Sequence, residues 1–341
     1  MRILCERHLG EYMTTQKPPL YIEELITNTH NRQYWIYKND SFYQQRIASA
    51  GPYQKKNLIH LRQLRPQART IIDVGANIGM NTIEYATWAN TVHAFEPTSQ
   101  TYSMLKRNVD LALNPPLEPK GWYETDQKKI ASAQVTGQIQ TYCIALSSTQ
   151  GKSEIIIKKD NAGHNYLDNL HLPTRTGQVR ARPTQPPTES VKLRTLDSYQ
   201  FNLVDAIKID VEGHEFDVVK GAEQTIIKHR PVVQLEMVEH QPIRFNWNCQ
   251  QIYDWFYERD YIPTLSTGKS AGRLWHKFPR EMERFFIHKD EYQQSTFETL
   301  FEHDDPTNET KDRPYWNYDP PARKVKDSPT KTKLIDCIDR I

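Results

Sequence analysis

The sequence has no long apolar run. Its mean hydropathy is −0.76, and no segment reaches the roughly 20 consecutive apolar residues that a membrane-spanning helix needs. The first residues, Met-Arg-Ile-Leu-Cys-Glu-Arg-His, lack the apolar core of a secretory signal. We therefore expect a cytoplasmic protein without a membrane partner.

Cysteine is scarce, and neither sign of charge is in excess. No two of the four cysteines form a C-x-x-C pair, which argues against a zinc site and a disulfide framework: Cys5, Cys143, Cys249 and Cys337. The 44 basic and 42 acidic residues leave a net charge of +2. This balance gives no electrostatic footprint for nucleic acid, so we do not expect a nucleic-acid partner.

The most informative segment that is present is a glycine loop after an apolar run. Residues 71–79 read Ile-Ile-Asp-Val-Gly-Ala-Asn-Ile-Gly, and a second apolar run, Thr91–Phe95, ends on Glu96. This order predicts strand, glycine loop, helix, strand and acid, which is half of a nucleotide-binding α/β unit. Gly75 and Gly79 would let the backbone approach a ligand closely.

The second and third glycines of the dinucleotide fingerprint are both missing. The pattern G-x-G-x-x-G from Gly75 would need glycine at positions 77 and 80, which hold Asn77 and Met80. S-adenosylmethionine has no phosphate, so the looser loop suffices for it. Glu96 would accept hydrogen bonds from its ribose, and Asp73 would suit its ammonium group. We therefore predict S-adenosylmethionine as cofactor, with a degenerate NAD-binding fold as the alternative.

Hydrophobic periodicity predicts alternating strands and helices through most of the chain. The predicted strands are Thr70–Val74, Thr91–Phe95, Ile139–Leu146, Ser153–Lys158, Val191–Leu196, Val204–Val211 and Pro231–Met237, with Tyr261–Leu265 and Arg284–His288 as a final antiparallel pair. The predicted helices are Lys56–Leu64, Met80–Trp88, Ser99–Leu113, His214–Lys228 and Gln250–Asp260. The pattern is typical of a mostly parallel sheet.

Composition divides the chain into three parts. Residues 1–55 are predicted as an N-terminal helical extension, with helical stretches near Tyr21–Ile26 and Asp40–Ala50. Residues 56–292 form the predicted catalytic domain, with a polar excursion at 115–134 and a long loop at 160–190. Residues 293–341 are rich in Pro, Asp, Lys and Thr, which predicts a poorly ordered tail.

A second group of ionisable residues follows the strand predicted from Val204. Asp210 and Glu212 are two apart, and Glu236 ends the next strand. The carboxyl ends of parallel strands line the ligand crevice, so these acids and His214 are expected to converge near the transferred methyl group. Asp210, His214 and Glu236 are the candidate catalytic residues, and Asp210, expected beside the glycine loop, is also a candidate cofactor-binding residue.

Each of these residues also has a simple structural interpretation. Asp210 could form an ion pair with Lys208, His214 could lie in a first helical turn, and Glu236 could be a buried acid bonded to backbone. Ala145 and Leu146 follow a strand expected beside the second one, so they could contact the adenine or merely end a strand. The sequence leaves these alternatives open.

Taken together, these pieces resemble the FkbM family of S-adenosylmethionine-dependent methyltransferases. The matching segments keep the family's order over roughly residues 70–290: Asp73–Gly79 with Thr82, Phe95–Pro97, Ala145–Ser147, Thr195–Asp197, Lys208–Glu215, Lys220–Ala222 and Pro231–Glu236. The resemblance implies a Rossmann-like class I methyltransferase fold, with a doubly wound, mostly parallel seven-stranded sheet and an antiparallel final strand. It also implies O-methylation of a saccharide or natural product, and it adds Asn77 and Thr82 to the cofactor-binding residues.

Two chemical routes remain for removing the proton of the acceptor hydroxyl. A carboxylate or His214 could act as a base, or a divalent cation on Asp210 and Glu236 could lower the pKa of the hydroxyl. We predict the metal-free route and no metal site. The alternatives to a small-molecule or glycan acceptor are a nucleic-acid 2′-hydroxyl and a non-catalytic binding role, and the oligomeric state is not predicted.

Overall fold

A computed structural model describes nine segments of the chain: residues 23–28, 32–37, 52–115, 134–158, 165–167, 187–238, 247–266, 270–271 and 283–292. All of them belong to the first of the chain's two units, Met1–Leu300. Within these segments, no helix has both the length and the apolar character needed to cross a bilayer. The predicted tail 293–341 and helical stretch Asp40–Ala50 lie outside them.

Short strands make up most of the described structure. In chain order they are β1 (Glu23–Thr27), β2 (Gln33–Tyr37), β3 (Thr70–Val74), β4 (Thr91–Phe95), β5 (Gln138–Tyr142), β6 (Ala145–Leu146), β7 (Gly151–Ile156), β8 (Tyr166–Leu167), β9 (Thr188–Arg194), β10 (Ala206–Ile209), β11 (Val232–Glu236), β12 (Tyr261–Thr264) and β13 (Glu283–His288). The helices between them are Lys55–Leu64, Met80–Tyr85, Ser99–Leu113, Glu215–Gly221, Glu223–His229 and Cys249–Tyr257, with a 3-10 turn at Leu196–Tyr199.

The central sheet has seven strands in the order β12-β13-β11-β10-β3-β4-β5. Strands β5, β4, β3, β10 and β11 are parallel, and β13 runs antiparallel to both β11 and β12. The predicted sheet and its final antiparallel pair are therefore confirmed. Strands β10 and β11 are buried on both faces and are therefore mostly apolar, as parallel strands in α/β proteins are, although Lys208 interrupts β10 and Gln234 interrupts β11.

The two faces of the sheet bury separate cores. Val74, Ile207 and Leu235 pack with the helix Cys249–Tyr257, whereas Ile71 and Ala206 pack with the helix Lys55–Leu64. Covering both faces removes the apolar strands from water and leaves only their carboxyl ends open to ligands. This arrangement positions the glycine loop and the acidic residues at one edge.

A hairpin replaces the helix predicted near Tyr21–Ile26. The segment Glu23–Thr27 alternates between exposed and half-buried residues, which is the period of a strand, and it pairs antiparallel with β2. The buried face of β2 packs against the helix Ser99–Leu113, so tertiary contact decides the local structure. The helical prediction for this stretch is therefore wrong.

A second sheet of four strands, β6-β9-β7-β8, follows β5 in the chain. Its strands β8 and β9 occupy part of the segment predicted as a loop at 160–190, and the rest of that segment lies outside the described residues. The predicted helix His214–Lys228 is divided into two at Ala222. At the end of the first helix, Gly221 lies so close to Ser147 that a Cβ atom would stand 2.0 Å from its carbonyl oxygen.

Candidate functional site

The glycine loop turns sharply at the carboxyl end of β3. Gly75, Asn77 and Gly79 have φ angles of 78°, 53° and 93°, in the left-handed region that favours glycine. A Cβ at Gly75 would lie 1.9 Å from the carbonyl oxygen of Asp210, and one at Gly79 would lie 2.7 Å from Leu105. These glycines are therefore required because the loop backbone approaches other residues of the protein closely. From the sequence, only a close approach to a ligand was expected.

Asp73 and Thr82 connect β3 with the helix that follows the loop. Both residues are fully buried, and the Thr82 hydroxyl donates a 2.5 Å hydrogen bond to Asp73 Oδ2. Lys208 Nζ lies 3.6 Å from Asp73 Oδ1. Burial raises the pKa of Asp73, and the charge of Lys208 opposes that rise. The two residues thus support the loop from beneath.

Glu96 lies at the tip of β4, beside the loop. Its Oε2 accepts a 3.2 Å hydrogen bond from the backbone N–H of Asn77. Its Oε1 accepts bonds from the Thr98 hydroxyl at 2.6 Å and from the Thr98 N–H at 3.1 Å. Burial raises the pKa of Glu96 to about 7, although these three bonds favour the charged form. No described cation forms an ion pair with it.

Asn108 holds the loop from the opposite side, a role that no pattern in the sequence indicates. Its amide nitrogen donates to the carbonyl oxygens of Ile78 at 2.8 Å and Trp35 at 3.0 Å, and its oxygen accepts from the Trp35 N–H at 2.7 Å. The residue is fully buried in the middle of the helix Ser99–Leu113. A single amide thus joins the hairpin, this helix and the glycine loop.

Ala145 and Leu146 lie at the start of the second sheet. Both are buried, Leu146 in the core with Val218 and Ala145 in a smaller cluster with Val191. Next to them lies an open cavity of about 540 Å³. It is bordered by Pro97 after β4, by the end of β5 and the two residues after it, by part of β9 and by the 3-10 turn: Pro97, Thr141, Tyr142, Cys143, Ile144, Glu189, Ser190, Val191, Lys192, Arg194 and Tyr199. The cavity begins immediately after Glu96.

Asp210 follows β10 and lies directly beside the glycine loop, as predicted. Its backbone N–H donates to the Val74 carbonyl at 3.1 Å, and its Oδ2 lies 3.3 Å from Lys208 Nζ. Lys208 is almost fully buried and also donates to the Gly75 carbonyl at 3.2 Å. Burial lowers the pKa of Lys208, but the charges of Asp210 and Asp73 outweigh burial and hold it well above the usual value. The ion pair anticipated for Asp210 is therefore present.

Three carboxylates converge at the ends of β10 and β11. Oxygen atoms of Asp210, Glu212 and Glu236 all lie within 4.8 Å of one another. Burial, followed by the charges of Asp210 and Glu212, raises the pKa of Glu236 well above its usual value. These are the described residues that could hold a metal ion, and Glu212 was not among the residues named for that role from the sequence.

The segment before the helix Lys55–Leu64 covers this cluster, which the sequence did not predict. Gln54 donates to Glu283 Oε1 at 3.0 Å and accepts from the Asn81 amide at 3.0 Å, and its own φ is 51°. Burial and the charges of Asp210 and Glu236 raise the pKa of the Tyr53 hydroxyl, which therefore stays protonated. Burial also raises the pKa of Glu283 to about 7.

His214 takes part in a different group from the three carboxylates. Its Nε2 lies 2.9 Å from the Ser147 hydroxyl, and its Nδ1 lies 3.5 Å from Asp217 Oδ2. Burial lowers its pKa to about 4, against the opposing charge of Asp217. The ring is therefore neutral at physiological pH and connects the second sheet to the helix Glu215–Gly221.

Comparison with known proteins gives weak overall similarity and one family match. Similar solved structures include methyltransferase FkbM from Methylobacillus flagellatus, with 13% identity, a TM-score of 0.38, and coverage of 65% of this chain and 44% of that chain. An O-methyltransferase from Bacillus cereus in complex with SAH has 12% identity, a TM-score of 0.36, and coverage of 73% and 86%. An rRNA methylase from Streptococcus thermophilus has 9% identity, a TM-score of 0.34, and coverage of 70% and 97%. No curated protein matches the sequence.

This chain thus spans less than half the length of the Methylobacillus protein. The family model of the methyltransferase FkbM domain matches residues 73–263, which is more than half of the 341 residues. The matched range begins at the acid before the glycine loop and includes Glu96, Asp210 and Glu236. The seven-stranded, mostly parallel central sheet with the antiparallel strand β13 has the arrangement expected from the sequence for this family. The chain therefore belongs to the family of methyltransferase FkbM domains.

Proposed function

We propose that the protein transfers a methyl group from S-adenosylmethionine to a hydroxyl of a saccharide or small natural product. The observation that carries the proposal is the convergence of Asp210, Glu212 and Glu236 beside the glycine loop. Ionised carboxylates accept hydrogen bonds and cannot donate them, so the ionised acids of the cluster suit an acceptor that presents hydroxyl donors. A cytoplasmic location stays a prediction from the sequence.

The crevice fits the cofactor in charge and in hydrogen bonding. A carboxylate can accept about four hydrogen bonds, and Glu96 accepts three, so one position remains for a ribose hydroxyl. A second ribose hydroxyl could replace the long hydrogen bond from the Asn77 N–H. Lys208 is the one described cation paired with Asp73 and Asp210. The excess of negative charge favours a ligand that carries a sulfonium and an ammonium group.

We propose that the glycine-loop backbone and Glu96 hold the cofactor, while Asp73 and Thr82 fix the loop from below. S-adenosylmethionine, when bound, supplies a strongly electrophilic methyl group. The chain's own residues then need chiefly to align the acceptor oxygen and to accept its proton. Ala145 and Leu146 would contribute packing behind the adenine, since their side chains are buried.

Among the three candidate bases, Asp210 suits proton removal best. Burial and the charges of Asp210 and Glu212 raise the pKa of Glu236 well above its usual value, which favours its protonated form. His214 has a pKa of about 4 and contacts Ser147 and Asp217 through its two nitrogens. Asp210 is partly exposed and paired with Lys208, which can balance its charge before the proton arrives. We therefore propose Asp210 as base.

Titration calorimetry with S-adenosylhomocysteine and with NAD tests the cofactor site. We expect micromolar affinity for the former, no binding of the latter, and no S-adenosylhomocysteine binding after Glu96→Ala. Glu154→Ala, on an exposed position of β7, is the matched control and should bind normally. Binding of NAD alone would contradict the proposal.

Incubation with labelled methyl donor and fractionated host extract tests the acceptor class. We expect label on an oxygen of a saccharide or small natural product, and Asp210→Asn should greatly reduce the rate while leaving S-adenosylhomocysteine bound. Label confined to RNA would refute the proposed acceptor. Cofactor binding without any labelled acceptor would favour a non-catalytic role.

A further inference from the structure

The cavity of about 540 Å³ beside β9 is not used by the contacts proposed for the cofactor. Its volume falls within the range of about 300–1,000 Å³ that is typical of ligand pockets. Among the described residues, its borders do not include Glu96, the glycine loop, Ala145 or Leu146. The cavity is therefore a space of its own next to the cofactor crevice.

Two cations of β9 border this cavity, and neither is paired with a described acid. Lys192 and Arg194 are both exposed, and no ion pair joins either of them to a carboxylate among the described residues. Burial raises the pKa of the Cys143 thiol, and the charge of Lys192 is one of those that oppose the rise. The ammonium group of Lys192 thus lies near Cys143, which also borders the cavity.

Glu189 is the single acid among the described residues that border the cavity, and a helix N-terminus already stabilises it. Its Oε1 accepts a 2.8 Å hydrogen bond from the Ser99 N–H, in the first turn of the helix Ser99–Leu113. The positive end of a helix dipole partly balances a carboxylate in this position. The charges of Lys192 and Arg194 therefore stay available to an anionic ligand.

The guanidinium group of Arg194 is held in place by aromatic contact. It lies over the ring of Tyr199, 5.0 Å from the ring centroid. Tyr199 in turn packs parallel to Phe201, with 5.6 Å between the centroids, and edge-on to Tyr142 at 5.3 Å. A stacked guanidinium presents a planar fork of N–H donors that matches a carboxylate or a phosphate. Arg194 is thus preorganised to bind an anionic group.

The remaining borders of the cavity suit a sugar better than a nucleobase. Tyr142 stacks on Phe95, with 4.5 Å between the centroids and 11° between the planes, so a nucleobase would compete with the protein's own rings. Glu189 Oε2 accepts no hydrogen bond from the described residues, and Ser190 presents a hydroxyl at an exposed position. Such polar groups are partners for the hydroxyl groups of a saccharide.

We propose that this cavity binds an anionic saccharide, with its carboxylate or phosphate group on Arg194 and Lys192 and its hydroxyl groups on Glu189. The inference deepens the proposed function, and it rests on that function in one respect: the saccharide bound beside the cofactor crevice is the methyl acceptor. A carboxylate and a phosphate share the charge and the bidentate geometry that Arg194 recognises, so a uronate and a sugar phosphate are the two sources to compare.

Calorimetry with the full chain tests the binding, with and without saturating S-adenosylhomocysteine. The probes are glucuronate, glucose 6-phosphate and uncharged glucose. We expect at least one of the two anionic sugars to bind at least about tenfold more tightly than glucose, because charge-assisted hydrogen bonds are the stronger ones. The tighter of the two identifies the anionic group.

Arg194→Gln should weaken the binding of this sugar at least about tenfold. The double variant Arg194→Gln, Lys192→Gln should bind it no more tightly than glucose. Lys152→Gln is the matched control, because Lys152 is an exposed lysine that pairs in register with Lys192 but does not border the cavity. It should weaken binding by about twofold at most, since salt screens exposed charges. Circular dichroism verifies that each variant is folded.

Several outcomes would overturn the proposal. These are equal affinity for glucose and for both anionic sugars, and an equal loss of affinity in Arg194→Gln and Lys152→Gln. Inorganic phosphate that binds as tightly as glucose 6-phosphate would show a site for the ion alone. Tighter binding of adenosine 5′-monophosphate would assign the cavity to a nucleotide. Displacement of the anionic sugar by S-adenosylhomocysteine would assign it to the cofactor.

Transfer of labelled methyl groups tests the role of the saccharide as acceptor. Label should appear on saccharides that an anion-exchange column retains, and Arg194→Gln should lower the rate at least about tenfold without changing the affinity for S-adenosylhomocysteine. Label confined to uncharged saccharides overturns the anionic acceptor. If the anionic sugar binds but S-adenosylhomocysteine does not, the proposed function fails and the saccharide site stands.

Discussion

If Glu96 holds the cofactor as proposed, its carboxylate should make cofactor affinity depend on pH. Burial raises its pKa to about 7, with Glu189 contributing a smaller rise and the bonds from Thr98 and Asn77 opposing it. A ribose hydroxyl donates to the ionised form, so a proton on Glu96 competes with the cofactor. Affinity should therefore fall as the pH falls through 7.

The size of the effect follows from that pKa. Competition by the proton multiplies the apparent dissociation constant by a factor equal to one plus the ratio of protonated to ionised Glu96. With a pKa of about 7, this factor is about 11 at pH 6 and about 1.1 at pH 8. We expect S-adenosylhomocysteine to bind about tenfold more weakly at pH 6 than at pH 8. His93 and His214, whose pKa values burial lowers to about 4, stay neutral over this range.

Glu96→Gln is the informative variant because it keeps the shape and removes the charge. Two hydrogen bonds to a charged acceptor contribute about 1.5–3 kcal/mol each, so affinity at pH 8 should fall by at least about 100-fold. The remaining binding should no longer change between pH 6 and pH 8. Burial also raises the pKa values of Glu215 and Glu283 to about 7. A pH dependence caused by either of these residues would persist in Glu96→Gln, so the variant distinguishes it from the titration of Glu96.

Calorimetry at four pH values between 6 and 8 measures both effects, with Glu154→Gln as the control. Wild-type affinity that is constant over this range would refute the assignment of the ribose to Glu96. So would a Glu96→Gln variant that binds as tightly as wild type at pH 8.

Two further predictions concern stability, measured by urea denaturation. Asn108→Ala leaves the Trp35 N–H and the Ile78 carbonyl without their hydrogen-bond partner, so we expect the free energy of unfolding to fall by about 3 kcal/mol. The control Asn114→Ala, at an exposed position, should change it little. Equal stability of the two variants would contradict the role of Asn108. Burial raises the pKa of Glu215 to about 7 from 4.5, so the folded state binds its proton more tightly, and this stabilisation is lost as the pH rises from about 4.5 to 7. Between pH 5 and pH 7.5, Glu215→Gln should lose about 2 kcal/mol less than wild type, and parallel pH profiles would show that Glu215 does not titrate in this range.

The sequence predicted the elements whose signals are local. Strands β3 and β4 and the helix Ser99–Leu113 have their predicted bounds, because each is a continuous apolar run or a clear helical period next to glycine, proline or asparagine. The family match confirms the FkbM family that the motifs predicted. A short motif suffices here because the loop and the acid after β4 are close in sequence.

Contacts between distant segments could not be predicted in this way. Ser147 and His214 are 67 residues apart, and Gln54 and Glu283 are 229 apart, yet both pairs form hydrogen bonds in the site. A single hydrogen bond between two polar side chains does not affect the spacing of hydrophobic residues, so hydrophobic periodicity cannot predict either pair. The hairpin of β1 and β2 is a similar case, because its strand conformation depends on packing against a helix more than 60 residues later.

The amino-acid order alone determined the parallel sheet, the glycine turn and the acids at the strand ends, because backbone sterics and apolar periodicity act over a few residues. Tertiary structure alone decided what each acid does. Asp73 accepts a hydrogen bond from the buried Thr82 hydroxyl, and Glu96 accepts one from the Asn77 N–H of the glycine loop. Oε2 of Glu236 has no hydrogen-bond partner among the described residues. The reason is physical: the pKa and bonding of a carboxylate depend on burial and on neighbours that folding brings from other strands.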